Sequence, residues 1–415
     1  MTKKEKVVLA YSGGLDTTTI IPWLKENFNY DVICCCIDVG QEEELKGLEE
    51  RAKKSGASKL YIKNVIDEFA NEYISPVVKS GAVYENAYLL GTSMARPLIA
   101  KTLVDVARKE NAQVICHGAT GKGNDQVRFE LGIKALAPDI KVVAPWRMND
   151  LWNMKSREDE IEYCKKHGIK LPFSNNTKSY SRDRNLWHIS HEGLELENPN
   201  LEPNYKNCLV LSKMPQDAPN KETIIKLDFE SGEAVALNNK KMKLSEIIKK
   251  LNVIGGENGI GIIDIVENRV VGMKSRGVYE TPGGTILMFA RNALSELVLD
   301  RQTFDFNKIV ANKFSQIVYE GTWFTPLREA LSKYIDEINK YVSGSITLKL
   351  YKGNIIKSGS YSPYSLYNET LASFTTGDLY DHNDASGFIT LFGLPLKVRA
   401  MKMREVNKKN TKKSK

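Results

Sequence analysis

Residues 12 to 17, Ser-Gly-Gly-Leu-Asp-Thr, place two glycines, two hydroxyls and a carboxyl directly after the apolar run Val7 to Tyr11. Glycine has no Cβ, so a ligand can come close to backbone N–H groups at Gly13 and Gly14. The first amides of a helix beginning here have no partners within it, and the helix dipole adds positive potential at the same point. Together these favour a polyphosphate. The stretch contains neither G-x-x-x-x-G-K-[ST] nor G-x-G-x-x-G, so it is neither a Walker A loop nor a dinucleotide fingerprint. A second stretch, Cys116 to Glu130, again reads as strand, glycine-rich turn and polar helix start. There Thr120, Asn124, Asp125 and Arg128 bring donors, acceptors and both charge signs together, which suits a zwitterionic ligand better than a nucleotide alone.

The elements that must hold these loops follow an α/β pattern over residues 1–171, with strands expected at Val7 to Tyr11, Asp31 to Asp38, Lys59 to Val65, Gln113 to Gly118 and Ile140 to Trp146. Helical patterns lie between them at Glu42 to Lys54, Val65 to Lys79 and Ala95 to Lys109, and Pro22 interrupts the helix after Asp16. Ligands of open parallel sheets bind beyond the carboxyl ends of the strands, where both loops and Cys36-Ile37-Asp38 fall. The pattern changes near residue 172. From there to 360 an α+β domain is expected, with a hairpin at Thr223 to Phe229 and Ala234 to Leu237, a strand Ile260 to Val266, helices at Leu244 to Leu251, Leu294 to Leu299, Phe306 to Tyr319 and Leu327 to Tyr341, and a last hairpin turning at Lys352-Gly353. Residues 361–415 are expected to form an oligomerisation arm, because Gly387 to Leu396 is densely apolar, with a Lys-rich disordered end from about Val406.

The string Ala10-Tyr-Ser-Gly-Gly-Leu-Asp-Thr17 resembles the S-G-G-x-D-[ST] loop of the ATP pyrophosphatases, and within them the argininosuccinate synthase family. Gly118 to Glu130, Tyr180-Ser-Arg-Asp-Arg-Asn-Leu-Trp-His-Ile-Ser190, Ile263 to Arg269 and Gly272 to Pro282 resemble further segments of that family in order. The resemblance implies a parallel-sheet nucleotide-binding domain followed by a synthetase domain and an oligomerisation tail. It also implies ligation of citrulline and aspartate with ATP through a citrullyl adenylate, releasing AMP and pyrophosphate. ATP would be held by Ala10, Tyr11, Ser12, Gly13, Gly14, Leu15, Asp16, Thr17, Thr18, Ile37 and Gly118. Citrulline would be held by Tyr88, Ser93, Asn124, Arg128, Ser181, Ser190, Glu267 and Tyr279. Aspartate would be held by Thr120, Asn124 and Asp125, with Asp125 and Thr120 orienting its amine and no side chain acting as a nucleophile. ATP is expected as its Mg2+ complex, and the assembly as a homotetramer.

Charge and cysteines bound the alternatives. The formal charge is +8, and the residues from Lys397 onward carry nine Lys or Arg against Glu405 alone, so the body is formally neutral. A nucleic-acid groove needs clustered positive charge, so no nucleic-acid partner is expected and an adenylating enzyme acting on tRNA is the weaker alternative. Cys34, Cys35 and Cys36 are adjacent in a strand, where neighbours face opposite ways, and no C-x-x-C occurs; buried reduced thiols are expected rather than a disulfide framework. The five histidines show no metal-ligand spacing, so no protein-bound metal is assigned. There is no signal-peptide pattern and no run of ~18 apolar residues, so a cytoplasmic enzyme without membrane partners is expected.

Overall fold

The computed structural model describes residues 4–154, 156–169, 180–373 and 381–413. The expected domain boundary near residue 172 lies outside them. Five strands, β1 (Lys6–Ala10), β2 (Asp31–Asp38), β3 (Lys59–Asn64), β4 (Val114–Cys116) and β5 (Lys141–Val143), pair in parallel in the order β3-β2-β1-β4-β5. The inner strands β1, β2 and β4 are buried on both faces because helices cover both, while the edge strand β3 is partly exposed. The cysteines show the alternation: Cys34 and Cys36 enter one core cluster and Cys35 the other. All six cysteines are buried, and none forms a disulfide. Burial pushes the Cys34 and Cys116 thiols well up, and the Cys35 thiol up to about 12.

The chain winds from β1 outward to β3 and then returns to add β4 on the other side of β1. This makes the β1/β4 boundary a topological switch point, the place where a crevice opens beyond the strand ends. The loops after β1 and after β4 therefore lie side by side. A Cβ on Gly118 would come within 3.1 Å of Ile20 and 3.3 Å of Thr17.

Local chemistry moved several boundaries. The helix Leu15–Phe28 runs unbroken through Pro22. The expected helix over residues 42–54 is split into a 3-10 turn, Glu42–Leu45, and a helix, Leu48–Lys54, because Gly47 takes a left-handed φ of 71° between them. Residues 66–80 form a short α turn, a π-helical stretch Phe69–Ile74 and a helix Ser75–Ser80 in one continuous run, with Pro76, which has no N–H to donate, directly after the π-helical stretch.

Two antiparallel sheets follow. One has the order β11-β12-β7-β6 and is built from β6 (Ser181–Arg184), β7 (Ile189–Glu192), β11 (Ile262–Asn268) and β12 (Lys274–Glu280). The other has the order β10-β9-β8-β13-β14, from β8 (Thr223–Glu230), β9 (Glu233–Leu237), β10 (Lys240–Lys241), β13 (Gly344–Tyr351) and β14 (Asn354–Tyr361). The helices Leu244–Glu257, Pro282–Val298 and Arg301–Glu320 are longer than the apolar runs that signalled them, and Pro326–Asn339 ends two residues before the expected Tyr341.

The polar turn Asn185-Leu-Trp-His188 between β6 and β7 is the point where these parts lock. Trp187 is fully buried and its Nε1 donates to Leu89 O at 2.9 Å. Asn185 Nδ2 donates to Gly91 O at 3.0 Å, Leu186 N to Val39 O at 2.8 Å, and Asn252 Nδ2 to Leu186 O at 2.8 Å.

Residues Met1–Tyr364 and Ser365–Lys415 form two compact units. The second contains helices Glu369–Ala372, Asn383–Phe392 and Leu394–Lys413. The last helix runs through Val406 to Lys413, the segment for which a Lys-rich disordered end is expected; Lys, Met, Arg and Ala are good helix formers and no Gly or Pro interrupts residues 396–413. Phe388, Ile389, Leu391, Phe392 and Leu396 are exposed on this unit.

Trp187→Ala is expected to destabilise the protein by about 3–5 kcal/mol through the cavity it leaves. Urea denaturation followed by circular dichroism checks this, and a loss under about 1 kcal/mol, typical of surface substitutions, would show that the turn is not a lock.

Candidate functional site

A cleft of about 710 Å³ opens at the β1/β4 switch point. Its wall includes Ser12, Gly13, Gly14, Leu15, Asp16, Thr17 and Gly118 from the strand ends, and Thr120, Asn124, Asp125 and Arg128 from the loop after β4 and the helix Asp125–Leu136 it enters. The antiparallel sheet contributes the opposite side: Ser181, Ser190, Glu267 and Tyr279, with Tyr88 from the segment before the helix Gly91–Glu110. Strand register explains this grouping. Asp183 pairs with Ser190 across β6 and β7, and Ser190 with Tyr279 across β7 and β12, so the three side chains form one row on one face.

Ala10, Tyr11, Thr18, Ile37 and Ser93 are expected site residues that do not reach the cleft wall. Ala10 is the end of the central strand; Tyr11, Thr18, Ile37 and Ser93 are buried. Tyr11 Oη and Thr18 Oγ1 lie 3.4 Å apart and brace the loop from behind.

The loop after β1 is held by its own polar groups. Gly14 N donates to Ser12 Oγ at 3.2 Å, and Ser12 Oγ lies 3.2 Å from Thr17 Oγ1. Gly13 needs its φ of 78°, and a Cβ there would collide with Leu48 Cδ2 at 2.1 Å. Gly14 supplies no side-chain cap to the helix Leu15–Phe28, leaving that helix start without the usual internal acceptor. Asp16 at this end interacts with Glu160, which is 2 % exposed on the helix Arg157–Lys166. Burial, and then the Asp16 charge, push the Glu160 carboxyl far above the usual carboxylate range. That holds a proton on Glu160 at neutral pH and lowers the negative charge facing the loop.

At the other end of the cleft the charges are tightly paired. Arg96 Nη2 lies 2.7 Å from Asp125 Oδ2 and 3.0 Å from Asp183 Oδ1, and Arg128 Nη1 lies 3.1 Å from Asp125 Oδ1. Burial alone would raise the Asp125 carboxyl, but Arg96 and then Arg128 outweigh it and bring it down to about 2. Asp125 is therefore an anion at any physiological pH. Arg128 Nε also donates to Tyr319 O at 2.9 Å, and its guanidinium lies 4.9 Å from the Tyr319 ring centre. Glu267 accepts from the hydroxyls of Tyr279 and Tyr319, one on each carboxylate oxygen. Burial pushes the phenols of Tyr88, Tyr279 and Tyr319 up, Tyr88 to about 12, and the nearby Glu267 adds to it, so all three are donors. Arg269 pairs with Glu192 at 2.7 Å and donates to Lys122 O at 3.1 Å, while Val270 N donates to Asn124 Oδ1 at 2.8 Å, joining the loop after β4 to the turn after β11.

Sequence reasoning missed Arg96, Asp183, Arg269, Glu192 and Tyr319. Arg96 carried a signal: it falls at helical spacing with Ile99, Leu103 and Val106, a charge on an otherwise apolar face that must find a buried partner. The others had none, because their roles depend on strand register and on contacts between distant segments.

His188 lies against this cluster. It is fully buried, with its ring against Gly91 and Nε2 3.1 Å from Thr92 Oγ1. Burial pushes its imidazole down to about 4, with the Arg96 charge acting in the same direction and Asp183 opposing it. An unfolded histidine titrates near 6.5. The stabilisation is therefore complete above about pH 6.5 and falls as the pH drops toward 4, because the unfolded chain takes up the proton first. Urea denaturation between pH 7 and 4 should show a stability loss that His188→Gln flattens; an unchanged slope in that variant assigns the loss to other groups.

The family models described as the Arginosuccinate synthase N-terminal HUP domain and the Arginosuccinate synthase C-terminal domain match residues 6–170 and 180–399. The chain is 72% identical over 405 residues to an argininosuccinate synthase of Lachnoclostridium phytofermentans, covering 98% of this chain and 99% of that one. It is 69% identical over 408 residues to that of Agathobacter rectalis, covering 98% and 100%, and 67% identical over 409 residues to that of Lachnospira eligens, covering 99% and 100%. The match runs through both halves of the chain, which leaves no support for the tRNA-acting alternative. With the glycine-rich loop after β1, the charge-paired loop after β4 and this full-length similarity in place, the chain belongs to the argininosuccinate synthase family, whose members are ATP-using ligases that form a C–N bond.

Proposed function

We propose that the cleft binds ATP, citrulline and aspartate together and makes argininosuccinate through a citrullyl adenylate. The observation that carries this reading is the convergence, at one switch point, of a glycine-rich anion loop, Ser12 to Thr17, with two amino-acid-sized sets of paired charges and hydroxyls. ATP lies along Ala10 to Thr18, with its phosphates on Ser12 to Gly14 and its adenosine toward Ile37 and Gly118. Mg2+ arrives with the nucleotide as part of the substrate. Citrulline is held by Tyr88, Asn124, Arg128, Ser181, Ser190, Glu267 and Tyr279, with Ser93 buried behind that wall, and aspartate by Thr120, Asn124 and Asp125.

The chemistry asks for positioning and charge stabilisation rather than a protein nucleophile. The ureido oxygen of citrulline attacks the α-phosphorus and pyrophosphate leaves; the aspartate amine then attacks the activated carbon and AMP leaves. Asp125 suits the amine because Arg96 and Arg128 occupy one lone pair on each of its oxygens and leave acceptor capacity for an ammonium. Glu267, fixed between two tyrosines, offers the same to the α-amine of citrulline.

We divide the chain into an ATP-binding domain, residues 1–171, a synthetase domain, 172–360, and a C-terminal arm, 361–415, through which it assembles as a homotetramer. The exposed apolar residues between Phe388 and Leu396 support the arm as an interface. We assign the enzyme to the cytoplasm, as one of amino-acid biosynthesis; among the described residues no helix is long and apolar enough to cross a membrane.

Assays of the purified protein should show citrulline- and aspartate-dependent release of pyrophosphate and AMP, and stoichiometric ADP would overturn the reading. Asp125→Asn should weaken aspartate by about 1.5–3 kcal/mol, the range for hydrogen bonds to a charged group. Arg128→Leu should raise the citrulline KM most, and the aspartate KM as well because it unpins Asp125; a change confined to ATP refutes both roles. A chain ended after Tyr364 should remain folded and scatter light as a smaller assembly, whereas an unchanged tetramer excludes the arm from the interface.

A further inference from the structure

The loop after β1 is roofed by the segment that follows β2. Arg51, on the helix Leu48–Lys54, directs Nη1 to Gly13 O at 2.5 Å and Nη2 to Lys46 O at 3.3 Å. A Cβ on Gly13 would lie 2.7 Å from Arg51 Nη1, so the guanidinium rests directly on the loop backbone. In a trans peptide the N–H points opposite to the C=O. Holding Gly13 O toward Arg51 therefore turns Gly14 N away from it, to the side where Gly14 N meets Ser12 Oγ.

Lys46 and Arg51 both stand on the cleft wall beside Ser12 to Thr17. Among the described residues neither has a carboxylate within ion-pair distance, whereas Arg96, Arg128 and Arg269 on the same wall are each paired. The wall thus carries arginines paired with carboxylates at Arg96, Arg128 and Arg269, and, at the phosphate loop, two cations for which the described residues provide no carboxylate. An enzyme that expels pyrophosphate needs that asymmetry. As the ureido oxygen bonds to the α-phosphorus, the bond from that phosphorus to the bridging oxygen breaks, and its electron pair leaves on pyrophosphate. Positive charge already in place there stabilises the transition state more than the ground state.

We infer that Lys46 and Arg51 form a cationic clamp on the departing pyrophosphate, Arg51 also acting as a positioning residue that orients the Gly13–Gly14 peptide. This rests on the placement of the ATP phosphates at Ser12 to Gly14. The test is inhibition of the full-length enzyme, against ATP, by inorganic pyrophosphate and separately by AMP, which lacks the β and γ phosphates. Lys46 is exposed, so Lys46→Gln does not threaten folding; Arg51→Gln and Arg51→Lys complete the set. In the two Gln variants the inhibition constant for pyrophosphate should rise roughly tenfold or more, the effect of losing a charge-assisted contact. In both, kcat should fall while inhibition by AMP and the KM values for citrulline and aspartate hold. Arg51→Lys should recover pyrophosphate affinity but not kcat, since a point charge cannot replace the fork that holds Gly13 O. Equal losses for pyrophosphate and AMP would mean a merely structural role and overturn the clamp. Ser12→Ala separates the two readings: if it alone weakens pyrophosphate, the clamp is wrong and the phosphate loop stands, and if none of the variants weakens pyrophosphate, the placement of the phosphates fails as well.

Discussion

A buried guanidinium must be answered by negative charge, and Arg96 organises the amino-acid end of the cleft around that requirement. It is 8 % exposed on the helix Gly91–Glu110 and reaches Asp125 from the parallel-sheet domain and Asp183 from the antiparallel sheet. Removing one partner of such a cluster leaves an uncompensated charge in a poorly solvated place, which costs far more than a surface ion pair contributes. The two sheets are thereby bound to one geometry. Asp183 is also tied to Thr92, whose hydroxyl donates to it at 2.8 Å and lies against His188. The turn carrying His188 and Trp187 closes the same region through its bonds to residues 39, 89 and 91.

The cleft is electrostatically divided. At one end, Asp125 is held ionised and shared between two arginines, and Glu267 is fixed between phenols that burial keeps protonated. Such groups are rigid before any ligand arrives, and a site that needs no reorganisation stabilises charge more effectively than water does. At the other end the anion loop offers amides and hydroxyls, and its one acidic residue, Asp16, faces a Glu160 that keeps its proton. This contrast is what a crevice taking a polyanion at one end and zwitterions at the other would need.

Much of the fold was legible because it depends on local pattern. The five parallel strands appear as short apolar runs, within two or three residues of their expected ends, and the hairpin over Ser231-Gly232 is marked by its turn residues. Boundaries went wrong where a single backbone feature intervened: left-handed Gly47 split one helix, and a π-helical stretch interrupted another. At the Lys-rich end composition points two ways, since charge without apolar residues suggests disorder while Lys itself is a good helix former. Of the expected site residues, most reached the cleft, from loops, helix starts and one face of the antiparallel sheet; Ala10, Tyr11, Thr18, Ile37 and Ser93 lie behind it, the last four turned into the core.

By itself the sequence determined the chemistry of the loops: which carry backbone donors free of Cβ, which carry both charge signs, and that each begins at a strand end. Those properties reside in single residues and their immediate order. The tertiary structure alone decided that the loops after β1 and β4 share one crevice, that Asp183, Ser190 and Tyr279 align across three strands, and that Arg96 meets carboxylates 29 and 87 positions away. Sheet order and strand register set these relations, and they depend on how distant segments bury their apolar faces together. No local spacing encodes them.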